Sequence, residues 1–118
     1  MELKEVMKQK TFAVVGDTLN EEKFACQIKH SMADHGYTVY PVGKELTSLN
    51  DVPGELDVID LCIHPVKGLK LMEECQKLVK CVVLQPGASS PELVECLDRK
   101  GYAHLDGCLL KGLEQYVK

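Results

Sequence analysis

Short apolar runs alternate with longer amphipathic stretches along this chain. Nearly continuous apolar runs are typical of parallel strands that are covered by helices on both faces of a sheet. The chain contains such runs at residues 11–16, 37–42, 57–63, 81–84 and 102–105, and we predict a strand at each of them. Asp60 is an unexpected polar interruption of the third run.

Helical patterns lie between these strands. Apolar residues recur every four positions from Phe24 to Met32, so we expect an amphipathic helix after the first strand. Thr18 and Glu21 fit a capping box that would begin this helix, with Asn20 as a rival N-cap. Further helices are predicted around residues 65–79, 91–100 and 108–118, and a short helix or arm at residues 1–9.

The order of these elements predicts one α/β domain that spans residues 1–118. Strands that alternate with helices favour a Rossmann-like, doubly wound sheet of five parallel strands with helices on both faces. A chain of 118 residues is one domain by length. It can bury roughly two-thirds of the surface that its unfolded form exposes, which is enough for a core without disulfide staples.

The composition limits the classes of partner. The net charge is -4, Arg99 is the single arginine, and there is no Trp, so no basic face for nucleic acid is expected. No apolar run approaches the roughly 20 residues of a membrane span. The first residues lack the apolar region of a signal peptide. We therefore expect a cytoplasmic protein without nucleic-acid or membrane partners.

Six cysteines are present, but their spacing does not indicate a metal site. No pair forms Cys-x-x-Cys, and no two histidines have a metal-binding arrangement. The cysteines are Cys26, Cys62, Cys75, Cys81, Cys96 and Cys108. We interpret them as reduced, buried small hydrophobes. A thiol-based redox role is the alternative, with Cys108 the least clearly buried.

The turn after the first strand is the first candidate ligand site. Gly16 lets a ligand approach the backbone, and the amides of Thr18 and Leu19 are expected near the N-terminus of the next helix. That terminus carries about half a positive charge and favours a pyrophosphate. Asp17 opposes an anion unless its side chain turns away or caps the helix. A plain tight turn is the alternative.

Three further strand ends carry candidate residues. Lys44 is a candidate for a ribose-linked phosphate, with a solvated surface lysine as the alternative. His64 is a candidate acid or base, but a hydrogen-bond donor or the residue before a helix is the interpretation we favour, and Pro65 follows it. The last group is Gln85, Pro86, Gly87 and Ala88. No nucleophile or partner carboxylate is placed beside His64, so we predict no catalytic constellation and no enzyme.

Four segments in this order resemble a known family. They read Phe-Ala-Val-Val-Gly at 12–16, Tyr-Thr-Val-Tyr-Pro-Val at 37–42, Asp-Val-Ile-Asp-Leu at 57–61 and Gln-Pro-Gly-Ala at 85–88. Together they resemble the small stand-alone CoA-binding domains, which are similar to the CoA-binding domain of the succinyl-CoA synthetase α subunit. The resemblance covers residues 10–107, most of the chain.

The resemblance implies a strand order of 3-2-1-4-5, a switch point between the first and fourth strands, and a set of CoA contacts. Gly16, Asp17, Thr18 and Leu19 would hold the pyrophosphate, and Gln85, Pro86 and Gly87 would form the opposite wall. Pro41, Val42 and Lys44 would lie along the adenine and ribose-phosphate end. Ile63, His64 and Pro65 would border the middle of the ligand.

Several functions remain open at this point. The first hypothesis is a non-catalytic module that binds CoA or acyl-CoA and no metal. An NAD(H)-type binder is the second, for which Glu45 is the only acid near the end of the second strand. A third is a degenerate member that acts as an interaction or redox protein. The apolar residues of the C-terminal segment would support a homodimer or a partner enzyme subunit, or else pack on their own sheet.

Overall fold

The computed structural model describes residues 1–117, and five parallel strands form one sheet in it. The strands are β1 (Thr11–Gly16), β2 (Thr38–Gly43), β3 (Val58–Leu61), β4 (Cys81–Leu84) and β5 (His104–Asp106). The helices are α1 (Leu3–Val6), α2 (Phe24–Asp34), α3 (Pro65–Glu74), α4 (Pro91–Arg99) and α5 (Leu109–Tyr116). A 3₁₀ turn covers Leu49–Asp51. Lys118, the last residue of the predicted C-terminal helix, lies outside the described residues.

The predicted fold class is confirmed. The sheet is all parallel, its order is β2-β1-β3-β4-β5, and the predicted order 3-2-1-4-5 is a different numbering of the same sheet. Along the chain, β2 is added on one side of β1, and β3, β4 and β5 are then added on its other side, so the switch point lies between β1 and β3. Asp60 pairs with Val14 of β1 on one side and Val83 of β4 on the other. The neighbour of β1 at the switch point is β3.

The sheet separates two apolar layers, which explains why its strands read as continuous apolar runs. Helices α3 and α4 cover one face, where Leu61 and Leu84 point, and α1, α2 and α5 cover the other, where Val14 and Val83 point. Because side chains alternate along a strand, both faces of each central strand must be apolar to be buried. The central strands are indeed almost completely inaccessible.

The predicted start of α2 is wrong. The helix begins at Phe24, and Lys23 is its N-cap without a side-chain hydrogen bond. The hydroxyl of Thr18 is not available for a capping box because it bonds to Glu45, 27 residues away in the sequence. The chain therefore continues as a loop over residues 17–23. Phe24, which was expected on the buried face, is 66% exposed.

Helix α3 ends at Glu74, before the predicted apolar positions at 78 and 79. Its last carbonyl oxygens bind the ammonium of Lys100, which lies 2.6 Å from Met72 O, 3.0 Å from Glu73 O and 2.8 Å from Cys75 O. A cation at a helix C-terminus compensates the partial negative charge there. Lys100 thus joins the ends of α3 and α4.

The terminal helices pack against each other. Gly112 lies so close to α1 that a Cβ at this position would be 2.6 Å from the sulfur of Met7. Glycine lowers the intrinsic stability of α5, and it leaves room for the Met7 side chain that packs on this helix. None of the helices within residues 1–117 is both long enough and apolar enough to span a membrane.

Candidate functional site

A cavity of about 450 Å³ opens at the carboxyl ends of β3 and β4, beside the first turns of α2 and α5. Most of its lining is apolar. It is formed by Phe24, Cys62, Ile63, His64, Gln85, Pro86, Gly87, Ala88, Cys108 and Lys111. Crevices at the carboxyl ends of parallel strands are where open α/β sheets bind their ligands. This cavity is the candidate functional site.

Six of the candidate residues named from the sequence line this cavity: Ile63, His64, Gln85, Pro86, Gly87 and Ala88. His64 is the N-cap of α3, and its Nδ1 accepts a hydrogen bond from the amide of Val66 at 3.2 Å. Pro65 is the first residue of α3 and is not in the lining. His64 therefore has a structural partner at the cavity wall, and one of its two ring nitrogens is occupied.

Gly16 positions the strands instead of lining the cavity. A Cβ on Gly16 would lie 2.5 Å from the carbonyl oxygen of Cys62 and 2.8 Å from the Cβ of Ala25. Its φ of 154° is one that side chains rarely adopt. Gly43 lies just as close to Gly16, since a Cβ added to Gly43 would be 2.6 Å from Gly16 O. These two glycines let the ends of β1, β2 and β3 converge.

The remaining predicted residues of the second strand stand apart from the cavity. Pro41 pairs with Val14, and Val42 pairs with Val15 and is completely buried. The side chain of Val42 consequently belongs to the core. Lys44 is exposed just beyond the end of β2.

The amides of Thr18 and Leu19 do not lie at the start of α2 as predicted, because that helix begins at Phe24. The amide of Thr18 donates to the carbonyl oxygen of Gly16 at 3.1 Å, and its side chain is buried. Leu19 is 62% exposed. Asp17, which precedes both, is half-buried. This turn is therefore held by the backbone bond from Thr18 to Gly16 and by the side-chain bond from Thr18 to Glu45.

Glu45 joins three segments through one carboxylate oxygen. Its Oε2 accepts from the hydroxyl of Thr18 at 2.7 Å and from the ammonium of Lys29 at 3.0 Å. The hydrogen bond from Thr18, with Lys29 contributing, holds the pKa of Glu45 below its ordinary value against the opposing effect of burial. The acid on which the NAD(H) alternative depended thus has two protein partners.

The sequence reasoning missed four polar or aromatic residues of the cavity: Phe24, Cys62, Cys108 and Lys111. Both of these cysteines are half-buried, while the other four cysteines are buried as expected. Burial raises the pKa of the Cys62 thiol, and Asp60 and Cys108 raise it further. The signal that was available is position, because Cys62 directly follows β3 and Cys108 follows β5.

Asp60 lies behind the cavity. It is completely buried, its Oδ2 accepts from Gln85 Nε2 at 3.4 Å, and its Oδ1 has no hydrogen-bond partner among the described residues. Burial raises the pKa of Asp60 to about 7, and the hydrogen bond from Gln85 opposes that rise. The polar interruption of the third apolar run was the signal for this group.

Two helix N-termini open at the cavity without a side-chain cap. Lys23 precedes α2 and Cys108 precedes α5, and neither side chain bonds the first amides of its helix. Lys111 adds a positive charge in the first turn of α5. Free amides and a cation favour an anionic group at this edge. Within residues 1–117, no group of three or more His, Cys, Asp or Glu side chains is placed to hold a metal ion.

A doubly wound parallel sheet with an apolar cavity at the carboxyl ends of its strands is an architecture typical of α/β domains that bind nucleotides and cofactors. Residues 10–114 match the CoA binding domain family, which is most of the chain. The chain therefore belongs to the CoA binding domain family, and the resemblance noted from the sequence is confirmed.

Solved structures of other small proteins share this fold. A hypothetical protein from Pyrococcus horikoshii OT3 is 24% identical with a TM-score of 0.89, over 98% of this chain and 90% of that one. A conserved hypothetical protein from Pyrococcus furiosus is 25% identical with a TM-score of 0.78, and the match covers 87% of this chain and 98% of that one. A Thermus thermophilus protein is 21% identical with a TM-score of 0.77, and the match covers 98% of this chain and 99% of that one. No curated protein matches the chain significantly.

Proposed function

We propose that this protein is a non-catalytic module that binds CoA or acyl-CoA. Membership of the CoA binding domain family supports the choice of ligand. The observation that carries the proposal is the cavity itself, which is mostly apolar and has Lys111 and two uncapped helix N-termini at its edge. CoA has the matching chemistry, since a long, weakly polar pantetheine arm is attached to a strongly anionic nucleotide.

In this proposal the pantetheine arm occupies the cavity. Its thiol or acyl end lies among Phe24, Cys62 and Ala88, which supply apolar surface. The phosphates lie outside, against Lys111 and residues Gly16 to Leu19, because the loop that these residues begin ends at Phe24, which lines the cavity. The adenosine end then extends over the ends of β1 and β2, towards Lys44. Pro41 and Val42 contribute backbone there, as the side chain of Val42 is buried.

A thermal-shift panel with CoA, acetyl-CoA, NAD, NADP, FAD and ATP tests the choice of ligand. A ligand at about 100 times its dissociation constant adds roughly 2.7 kcal/mol to the free energy of unfolding. For a domain of this size that raises the melting temperature by several degrees. We expect the largest shift with CoA or acetyl-CoA. No shift with CoA at millimolar concentration contradicts the proposal, and a larger shift with NAD favours the NAD(H) alternative.

Phe24→Ala tests the position of the ligand. Phe24 is 66% exposed, so its removal leaves the core intact and takes an aromatic wall from the cavity. We expect CoA affinity to fall at least about fivefold, which corresponds to about 1 kcal/mol. Leu78→Ala is the matched control, because Leu78 is 92% exposed and does not line the cavity. Equal affinity of the two variants would place the ligand elsewhere.

A further inference from the structure

One buried carboxyl lies immediately behind the cavity. Asp60 is in the middle of β3, between Val14 and Val83 of the adjacent strands, and it is fully buried. Side chains two residues apart on a strand point to the same face of the sheet. Asp60 therefore shares its face with Cys62, which lines the cavity. The carboxyl lies one step along the strand from the cavity wall.

Gln85 connects this carboxyl to the cavity. It follows β4, lines the cavity and is only 6% exposed. Its Nε2 donates to Asp60 Oδ2 at 3.4 Å. An ionised carboxylate can only accept hydrogen bonds, so the nitrogen end of the amide must face Asp60. The oxygen end, Oε1, accepts no hydrogen bond from the residues that the structure describes, and it remains for a ligand.

We propose that Gln85, oriented by Asp60, is a subsite that takes a neutral hydrogen-bond donor of the ligand at the base of the cavity. A secondary amide N–H or a hydroxyl satisfies Oε1, whereas a carboxylate offers only acceptors and a second negative charge. The subsite rests on the proposed function in one respect: the pantetheine arm of CoA carries two secondary amides, and the subsite would hold one of them. Gln85 contacts the ligand, and Asp60 is a positioning residue.

Packing alone does not account for Asp60. Its Oδ1 is the one buried side-chain nitrogen or oxygen without a partner in the described part of the chain. An unpaired carboxyl oxygen in an apolar layer lowers stability, and an aliphatic residue would fit between two valines without that loss. The carboxyl does have one effect that an aliphatic residue lacks, because it decides which end of the Gln85 amide faces the cavity.

Protonation of Asp60 reverses the orientation of the Gln85 amide. A neutral carboxyl can donate its O–H to Oε1, and the amide then turns its NH₂ group to the cavity. The titratable groups that face this region are Cys62 on β3, His64 after it, and Cys108 and Lys111 at α5. The shift in the pKa of Asp60 arises from burial and is opposed by Gln85. Burial and Asp60 in turn raise the pKa of the Cys62 thiol, so this thiol stays protonated while Asp60 titrates. The preference for a donor should therefore follow the titration of this one carboxyl.

A matched pair of small amides tests the subsite without CoA. N-methylpropanamide has one N–H, and N,N-dimethylpropanamide has none, although both have the same carbonyl. Binding of each is followed by NMR chemical-shift titration of the cavity residues at pH 8.5 and pH 5.5. At pH 8.5 we expect the secondary amide to bind roughly two- to tenfold more tightly, as one hydrogen bond distinguishes the pair. At pH 5.5 the preference should disappear.

Two variants distinguish a positioning role of Asp60 from a purely structural one. Asp60→Asn should give a preference that no longer changes with pH, and Gln85→Met should remove the preference at both pH values. Equal binding of the two amides at pH 8.5, binding of neither, or an unchanged pH profile in Asp60→Asn would each overturn the subsite. Titrating CoA into the same proteins keeps the two proposals distinguishable. Amide preference without CoA binding contradicts the proposed function alone, and CoA binding without amide preference contradicts the subsite alone.

Discussion

The hydroxyl of Thr18 donates a hydrogen bond to Glu45 Oε2 at 2.7 Å and so ties the loop after β1 to the loop after β2. Thr18 is buried, and the same oxygen also accepts from Lys29 of α2. Three segments that flank the edge of the sheet therefore meet at one carboxylate. The bond replaces the local capping interaction that the sequence predicted, and it keeps the loop of residues 17–23 out of the helix.

Thr18→Val should lower the free energy of unfolding by about 1–2 kcal/mol at pH 7, because a charge-assisted hydrogen bond is lost without a change of shape. The pKa of Glu45 is lowered in the folded state, so the stability it contributes is present above its ordinary value of 4.5 and is lost as the pH falls. The difference from the wild type should shrink between pH 7 and pH 3. Urea unfolding measures it, and Thr18→Ser, which retains the hydroxyl, is the control. A difference that is independent of pH contradicts this explanation.

Gly16→Ala should destabilise the protein by roughly 2–4 kcal/mol, the combined effect of backbone strain and overpacking. The new Cβ would lie 2.5 Å from the backbone oxygen of Cys62, which cannot move without shifting β3. Gly36→Ala is the matched control, since Gly36 also has a positive φ but has nothing within 4 Å of the added atom. We expect the control to lose only about 1 kcal/mol. Similar losses for both variants in urea unfolding would show that packing at Gly16 is not limiting.

Asp60→Asn should change how stability depends on pH. The folded pKa of about 7 is raised above the ordinary 3.8, so the stability from this carboxyl is fully present below pH 3.8 and is lost as the pH rises to about 7. The variant lacks this loss and should be more stable than the wild type at pH 8 by roughly 2–4 kcal/mol. Chemical unfolding at pH 4, 6 and 8 measures the curve. Parallel curves for the two proteins would mean that the carboxyl is not buried as described.

Lys100→Met should lower the free energy of unfolding by roughly 1.5–3 kcal/mol, because the three carbonyl oxygens at the end of α3 lose a charged donor. Lys80→Met is a control of the same chemistry, since Lys80 pairs with Asp57 at 3.4 Å but is 58% exposed. The loss in the control should be below about 1 kcal/mol. Thermal unfolding compares the two, and hydrogen exchange should show faster opening of the last turn of α3 in the first variant only.

Cys108 should react before the other cysteines with a thiol reagent such as N-ethylmaleimide. Cys62 shares the cavity but has a raised pKa, so less of its reactive thiolate is present. The four buried cysteines should react only after unfolding. Mass spectrometry of peptides after timed labelling gives the order, and CoA should protect both cavity cysteines. Labelling of Cys26 or Cys96 in the folded protein before Cys108 contradicts this order.

The strands could be predicted because burial on both faces makes each one a continuous apolar run, which a local pattern records. Gly16 was also identified as a special position. A glycine is needed there because the backbones of Cys62 and Gly43 approach it so closely. The start of α2 could not be predicted in the same way. A capping box is a local pattern, and the partner that Thr18 takes instead is Glu45, which only the completed sheet brings near.

The candidate site was predicted in part. The residues that directly follow β3 and β4 reach the cavity because strand ends in a parallel sheet share one edge. Phe24 and Lys111 were not identified, because helical spacing does not tell a core position from one at the mouth of a cavity. Asp60 was noticed as an anomaly, but its connection to Gln85 depends on the pairing of β3 with β4.

Under the proposed subsite, Asp60 links the stability of this fold to its selectivity for ligands. Replacing it by valine would complete the apolar layer between Val14 and Val83 and remove a buried charge. Natural proteins keep such a residue where rigidity is not the only demand on a position. If the amide of Gln85 selects the ligand, each gain in melting temperature at position 60 should be accompanied by weaker discrimination. A series of variants at position 60 would then show how stability and ligand discrimination change together.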